Sequence, residues 1–213
     1  MKKAILFDLD GTLWDATPRL LESFNRVLER YPGLNLRLTA ERMESGMGLN
    51  PAALRRHLFP TAEPAMQERL MEECFAEEVI HLRKHHGTPY PHLRETLEKL
   101  GGEYTLAIVS NCQAGYIPVF LDTMGVGEYI ADQECAATGL SKGENIRLVL
   151  ERQGVQRAIY VGDTQGDLDA ADLAGVPFVF AAYGFGAVNR DVPSIQSLAE
   201  LPPLAAELLD DYR

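Results

Sequence analysis

The 213-residue chain is short of cysteine, with three, and of tryptophan, with one. Cys74, Cys112 and Cys135 are odd in number, far apart and without C-x-x-C or zinc-type spacing. That speaks against a disulfide framework and implies a reducing, cytoplasmic setting. Basic residues are also scarce: 20 Lys and Arg stand against 31 Asp and Glu, for a net charge of −11. Such a balance argues against a nucleic-acid polymer as the main partner. A small anion can still be held by a few cations and backbone amides. No apolar run is long enough for a membrane helix, so no membrane association is expected. Lys2 and Lys3 precede an apolar run that Asp8 interrupts at once, which is not a signal-peptide pattern. Repeats, low-complexity tracts and long linkers are missing as well. What remains is a hydrophobic fraction of 46%, enough for a core in one large domain or in a core with an inserted unit.

The most informative segment is Ala4-Ile5-Leu6-Phe7-Asp8-Leu9-Asp10-Gly11-Thr12-Leu13. Its apolar start reads as a strand buried on both faces of a parallel sheet. Residues two apart in a strand face the same way, about 6.5 Å apart. Asp8 and Asp10 therefore leave the strand end together, and two adjacent carboxylates repel unless a cation or proton is shared between them. Gly11 lets the backbone turn or approach a ligand closely.

The rest of the pattern divides in two. Residues 18–31 have Leu20, Leu21, Phe24, Val27 and Leu28 at helical spacing, with Thr17 as N-cap and Pro18 at the first helical position. Further helices are expected at about 39–45, 50–58 and 64–86. Strands and helices then alternate. Helices at 92–101, 114–124, 143–153 and 168–174 are interleaved with strands at 104–109, 129–131, 158–161 and 176–180. The fold class is α/β: a doubly wound parallel sheet spanning residues 1–15 and 87–213, with an all-helical cap inserted at 16–86. In such a sheet ligands sit at the carboxyl ends of the strands. Those ends carry Asp8 and Asp10, Ser110 and Asn111, and Asp163 with Thr164. Lys142 lies on the approach to a helix, and Asp167 returns to the side of Asp163 if a helix has begun.

In order, DLDGT at 8–12, SN at 110–111, Lys142 and GDTQGD at 162–167 resemble the motifs of the haloacid dehalogenase-like superfamily. The likeness spans essentially the whole chain. With the small helical cap it is similar to the phosphoglycolate phosphatase group, on a Rossmann-like core. The resemblance implies a Mg²⁺-dependent phosphatase acting on a small phosphorylated metabolite, such as 2-phosphoglycolate, as a monomer or homodimer. Asp8 would be the nucleophile that forms an aspartyl-phosphate, Asp10 the acid and then the base, and Lys142 a catalytic cation. Gly11, Thr12, Ser110 and Asn111 would meet the substrate. The Asp8 and Asp163 carboxylates and the Asp10 carbonyl would hold Mg²⁺, with Thr164 and Asp167 behind them. A sugar phosphomutase of the beta-phosphoglucomutase kind, or a non-catalytic metabolite-binding protein, is the alternative. Two positions depart from the family pattern. Gly143 replaces the usual proline after the lysine, implying a softer loop there, and His92 stands where relatives often place glycine.

Other polar residues have a structural reading beside the functional one. His81, His85 and His86 lack a third metal ligand and are expected on a solvated face. Tyr183-Gly184-Phe185-Gly186 lacks the third glycine of a dinucleotide fingerprint, so a flexible loop at the site rim is expected. Trp14 is placed at the cap hinge or the pocket wall, and Cys112 is a packing thiol. Gly46-Met47-Gly48-Leu49-Asn50 is expected to point from the cap at the site. Arg19, Arg55 and Arg56 are candidates for an anionic substrate tail, although each more often marks a solvated surface.

Overall fold

The computed structural model describes residues 1–210. Strands β1 (Lys3–Phe7), β4 (Thr105–Val109), β5 (Ile130–Glu134), β6 (Arg157–Gly162), β7 (Phe178–Ala181) and β8 (Ser194–Ile195) form one sheet in the order β5-β4-β1-β6-β7-β8. All five pairings are parallel. β1 sits where the order turns, with β4 and β5 on one side and β6 to β8 on the other. That switch point opens a crevice at the carboxyl ends of the strands.

Alternation along β1 explains the two cores. Ile5 and Phe7 join one buried cluster, while Ala4 and Leu6 join the other, as a two-residue side-chain period requires. α5 (Leu93–Gly101) and α9 (Leu201–Asp210) contribute to the first cluster, together with α6 (Tyr116–Met124). α7 (Lys142–Arg152) and α8 (Gln165–Ala174) contribute to the second. Ile5, Leu6 and Phe7 have no exposed surface, which accounts for the unbroken apolar run in the sequence.

Between β1 and β4 the chain builds a helical layer: α1 (Thr17–Leu28), α2 (Ala40–Glu44), α3 (Pro51–Leu58) and α4 (Pro64–Leu82). Leu20, Phe24, Val27 and Leu28 of α1 are buried as their spacing implies. The chain enters and leaves this layer through two short strands, β2 (Trp14–Asp15) and β3 (Thr88–Pro89), paired antiparallel. Trp14 is fully buried behind this ribbon, edge-on to Tyr116 and Phe120. Among the described residues no helix is long and apolar enough to cross a membrane.

Several local expectations are corrected. Thr17 is not the N-cap of α1. Ala16 holds that position, and the Asp15 carboxylate accepts the Thr17 N–H at 2.8 Å. α1 and α4 stop at Leu28 and Leu82, earlier than their apolar spacing suggested. β2, β3, β8 and α9 were not anticipated, the strands because two residues carry no readable period. His81 is buried rather than solvated: its Nε2 lies 3.0 Å from a Glu22 carboxylate oxygen, while His85 and His86 are exposed. Lys142 and Gly143 are not loop residues. They form the first turn of α7, capped by Ser141 and Glu144 in a reciprocal capping box. A Cβ on Gly143 would lie 2.8 Å from the Ala170 carbonyl oxygen, so glycine lets α7 approach α8 closely.

Two stability predictions follow from this packing. Gly143→Ala should lose about 1–3 kcal/mol through overpacking, read as a lower urea midpoint. His92 is exposed and left-handed, with φ 67°. His92→Gly should therefore gain about 1 kcal/mol by relieving that conformation, and an unchanged or lower midpoint would contradict it.

Candidate active site

Three adjacent strands deliver their first loop residues to one edge of the sheet. Asp8 follows β1, Ser110 follows β4 and Asp163 follows β6. All three are at least nine-tenths buried. The Asp8 N–H donates to the Val161 carbonyl at 2.8 Å, carrying the sheet pairing one residue into the site.

Lys142 reaches this edge from the first turn of α7. Its Nζ donates to Asp8 Oδ1 at 2.7 Å and to Asp167 Oδ1 at 2.5 Å. Burial opposes its charge, but Asp167 and Asp8 outweigh that and hold the ammonium above the usual lysine range. Asp167 is itself consumed by structure. Its Oδ2 accepts the Asp163 and Thr164 N–H groups and the Thr164 hydroxyl, at 3.2, 3.0 and 2.7 Å. Thr164 and Asp167 form the capping box of α8, and this box fixes where Lys142 points.

Asp10 leaves β1 beside Asp8 and accepts the Tyr116 hydroxyl at 2.8 Å. Burial chiefly raises its carboxyl to about 7, against the pull of Tyr116. Asp163 is pushed up to about 8 by burial first and then by Asp167 and Asp8. Burial also raises Asp8, with Lys142 pulling the other way. Glu78 of α4 is driven up by burial and by Asp10.

The 183–186 loop is part of the site rather than a flexible rim. The Phe185 N–H donates to Asp163 Oδ2 at 2.8 Å, and Tyr183 donates to the Thr12 carbonyl at 2.8 Å. A Cβ on Gly184 would lie 2.3 Å from that of Asp163, so only glycine allows the approach. Gly11, at φ 84°, packs against Asp163 from the other side. The Thr12 hydroxyl faces Asp163 Oδ1 at 3.5 Å. From the helical layer, Gly48 meets Thr164 and its carbonyl accepts the Asn111 amide at 2.9 Å. The 46–50 segment therefore reaches the site as expected, and Asn111 is engaged with it. Arg19 pairs with Glu22 and Arg55 with Glu68, while Arg56 is exposed. None of the three arginines lines the cavity. Cys112 lines it, and burial raises its thiol.

Carboxylate oxygens of Asp8, Asp163 and Asp167 lie within 4.8 Å of one another. This all-oxygen set suits a hard divalent cation such as Mg²⁺. Because the Asp167 oxygens are engaged, Asp8 and Asp163 are the carboxylates left to bind one. The sequence did not identify Tyr116, Glu78 or the Phe185 amide, since none lies in a strand-end motif.

The haloacid dehalogenase-like hydrolase family model matches residues 5–181. The chain belongs to that family. Among its relatives, the phosphoglycolate phosphatase of Pseudomonas syringae pv. tomato is 30% identical, covering 100% of this chain and 78% of the relative. That of Agrobacterium fabrum is 29% identical over 90% and 83% of the two chains. A haloacid dehalogenase-like hydrolase of Streptococcus pneumoniae superposes with a TM-score of 0.79 at 17% identity, over 96% and 98% of the two chains. CbbY of Rhodobacter sphaeroides, solved with xylulose-1,5-bisphosphate, gives 0.77 at 18% identity, over 95% and 97%. These likenesses bear out the α/β core with its helical cap, and the chain is a haloacid dehalogenase-like phosphatase, a hydrolase of phosphoric monoesters.

The raised carboxyls give this hydrolase a pH signature. Above a pH of about 4 the unfolded carboxyls are ionised, whereas folded Asp10 and Asp163 keep protons up to about 7 and 8. The folded state binds more protons in that window, so stability falls as pH rises through it. In EDTA the melting temperature should drop between about pH 5 and pH 8.5, and Mg²⁺ should raise it most at the alkaline end. A flat or rising profile in EDTA would contradict the burial of these acids.

Proposed function

We propose that this phosphatase is Mg²⁺-dependent and hydrolyses a small phosphomonoester through an aspartyl-phosphate on Asp8. The observation that carries the reading is the Lys142 bond to one Asp8 oxygen, which fixes the carboxylate beside Asp10 at the cavity floor. Asp8 attacks phosphorus with an oxygen, and the ester O–P bond breaks. Asp10 gives its proton to the departing alkoxide. It then takes a proton from the water that attacks phosphorus, which frees Asp8 and releases phosphate. A group ionising at about 7 suits both directions of transfer near neutral pH.

Lys142 positions the nucleophile and offsets charge near it. The Ser110 hydroxyl receives phosphoryl oxygens, whereas the Gly11 and Thr12 N–H groups already donate to the Trp14 and Leu9 carbonyls. Mg²⁺ would be held by the Asp8 and Asp163 carboxylates and the Asp10 carbonyl, and it supplies charge neutralisation at the phosphoryl group. Asp167 and Thr164 act by holding Lys142 and Asp163 in place. Residues 16–86 serve as the cap over a core of 1–15 and 87–213, and the β2–β3 ribbon joins the two. The phosphoglycolate phosphatase relatives make 2-phosphoglycolate the reference compound for any substrate panel.

Phosphate release from a panel of small phosphomonoesters should require Mg²⁺ and stop in EDTA. Asp8→Asn should reduce kcat by at least about 10³-fold, and Asp10→Asn by about 10²–10⁴-fold. Unchanged turnover in folded Asp8→Asn would overturn the assignment of the nucleophile.

A further inference from the structure

The cavity above Asp8 and Asp10 has a volume of about 60 Å³. Its cap side is formed by Leu20, Phe24, Met43 and Phe75 around one carboxyl, Glu78. Glu78 is 2% exposed, and its Oε1 has no hydrogen-bond partner among the described residues. A buried polar atom left unpaired is destabilising, so an acid at this place in an apolar wall needs a reason. Gln113 lines the same cavity from the core, and its Nε2 donor is also buried without a partner. The cavity thus offers one free acceptor and one free donor beyond the groups placed at the phosphoryl site.

Among the described residues no Lys, Arg or His side chain lines it. Lys142 is bonded to Asp8 and Asp167, and Arg19 and Arg55 are spent on Glu22 and Glu68. A carboxylate or second phosphate on the leaving group would enter an apolar wall with no compensating cation, close to Glu78. Desolvating an uncompensated anion there opposes its binding.

Resting on the phosphatase reading above, we infer that the leaving group is a small neutral alcohol bearing a second hydroxyl, which donates to Glu78 and accepts from Gln113. Glu78 is then a specificity-determining residue, and the site selects against leaving groups that carry a carboxylate or a second phosphate. A hydroxyl satisfies both free groups at once. An ammonium has nothing to accept the Gln113 donor, and an anion meets no cation among the described lining residues.

The test measures kcat/KM with Mg²⁺ for 2-hydroxyethyl phosphate, ethyl phosphate, phosphoethanolamine and 2-phosphoglycolate. 2-Hydroxyethyl phosphate should lead, by at least about 10-fold over ethyl phosphate, the worth of one buried hydrogen bond. It should exceed 2-phosphoglycolate by at least about 100-fold. Glu78→Leu should bring 2-hydroxyethyl phosphate down to the ethyl phosphate level and leave ethyl phosphate within about two-fold. The variant should melt no lower than the parent, because it removes an unpaired buried acid. Preference for 2-phosphoglycolate or phosphoethanolamine, or a Glu78→Leu variant that is destabilised with unchanged selectivity, overturns the inference while the phosphatase reading stands. No Mg²⁺-dependent release from any of the four compounds overturns both.

Discussion

One ammonium among four carboxyls is the constraint on which the rest of the site depends. Asp8, Asp10, Asp163 and Asp167 are gathered at one sheet edge, and Lys142 joins two of them. Burial there pushes Asp8, Asp10 and Asp163 up, while the neighbouring carboxylates hold the lysine charged. The arrangement persists because rigid elements impose it. Asp8 and Asp163 are locked to adjacent parallel strands, Lys142 starts a capped helix, and Asp167 is tied into the capping box of α8. A site under this much self-repulsion is ready for a divalent cation and for proton transfer near neutral pH.

The helical layer turns that reactive edge into an enclosed one. Gly48 comes down onto Thr164 and is held by the Asn111 amide, while α4 brings Glu78 to the cavity. Enclosure explains why Asp10, on a different part of the fold, helps to raise the Glu78 carboxyl after burial has done so. It also divides the labour. The sheet edge carries the acidic groups proposed for the chemistry, and the cap wall is apolar apart from Glu78. Among the described residues no Lys, Arg or His lines that wall.

Much of this was legible in the sequence because strand ends leave strong local signals. Asp8 and Asp10 follow an apolar run, Ser110 follows another, and the Asp163–Asp167 spacing is one helical turn. Each signal is short-range, and the parallel sheet then brings them together. Contacts made across the fold left no such trace. Nothing local marks Tyr116 as the donor to Asp10, the Phe185 amide as the donor to Asp163, or Glu78 as the acid in the cavity wall. The burial of His81, beside Glu22 of another helix, is equally invisible in the local sequence. The close approach of Gly143 to Ala170 is visible only once α7 and α8 are packed.

The central claim is that Asp8 carries the phosphoryl group between substrate and water. It is tested most directly by acid-quenching the enzyme during turnover with a labelled phosphomonoester and mapping the label on the peptides. The account predicts a label on the peptide containing Asp8, absent in Asp8→Asn and discharged when substrate is exhausted. Steady phosphate release with no label on the protein at any time, or a label on another residue, would contradict it.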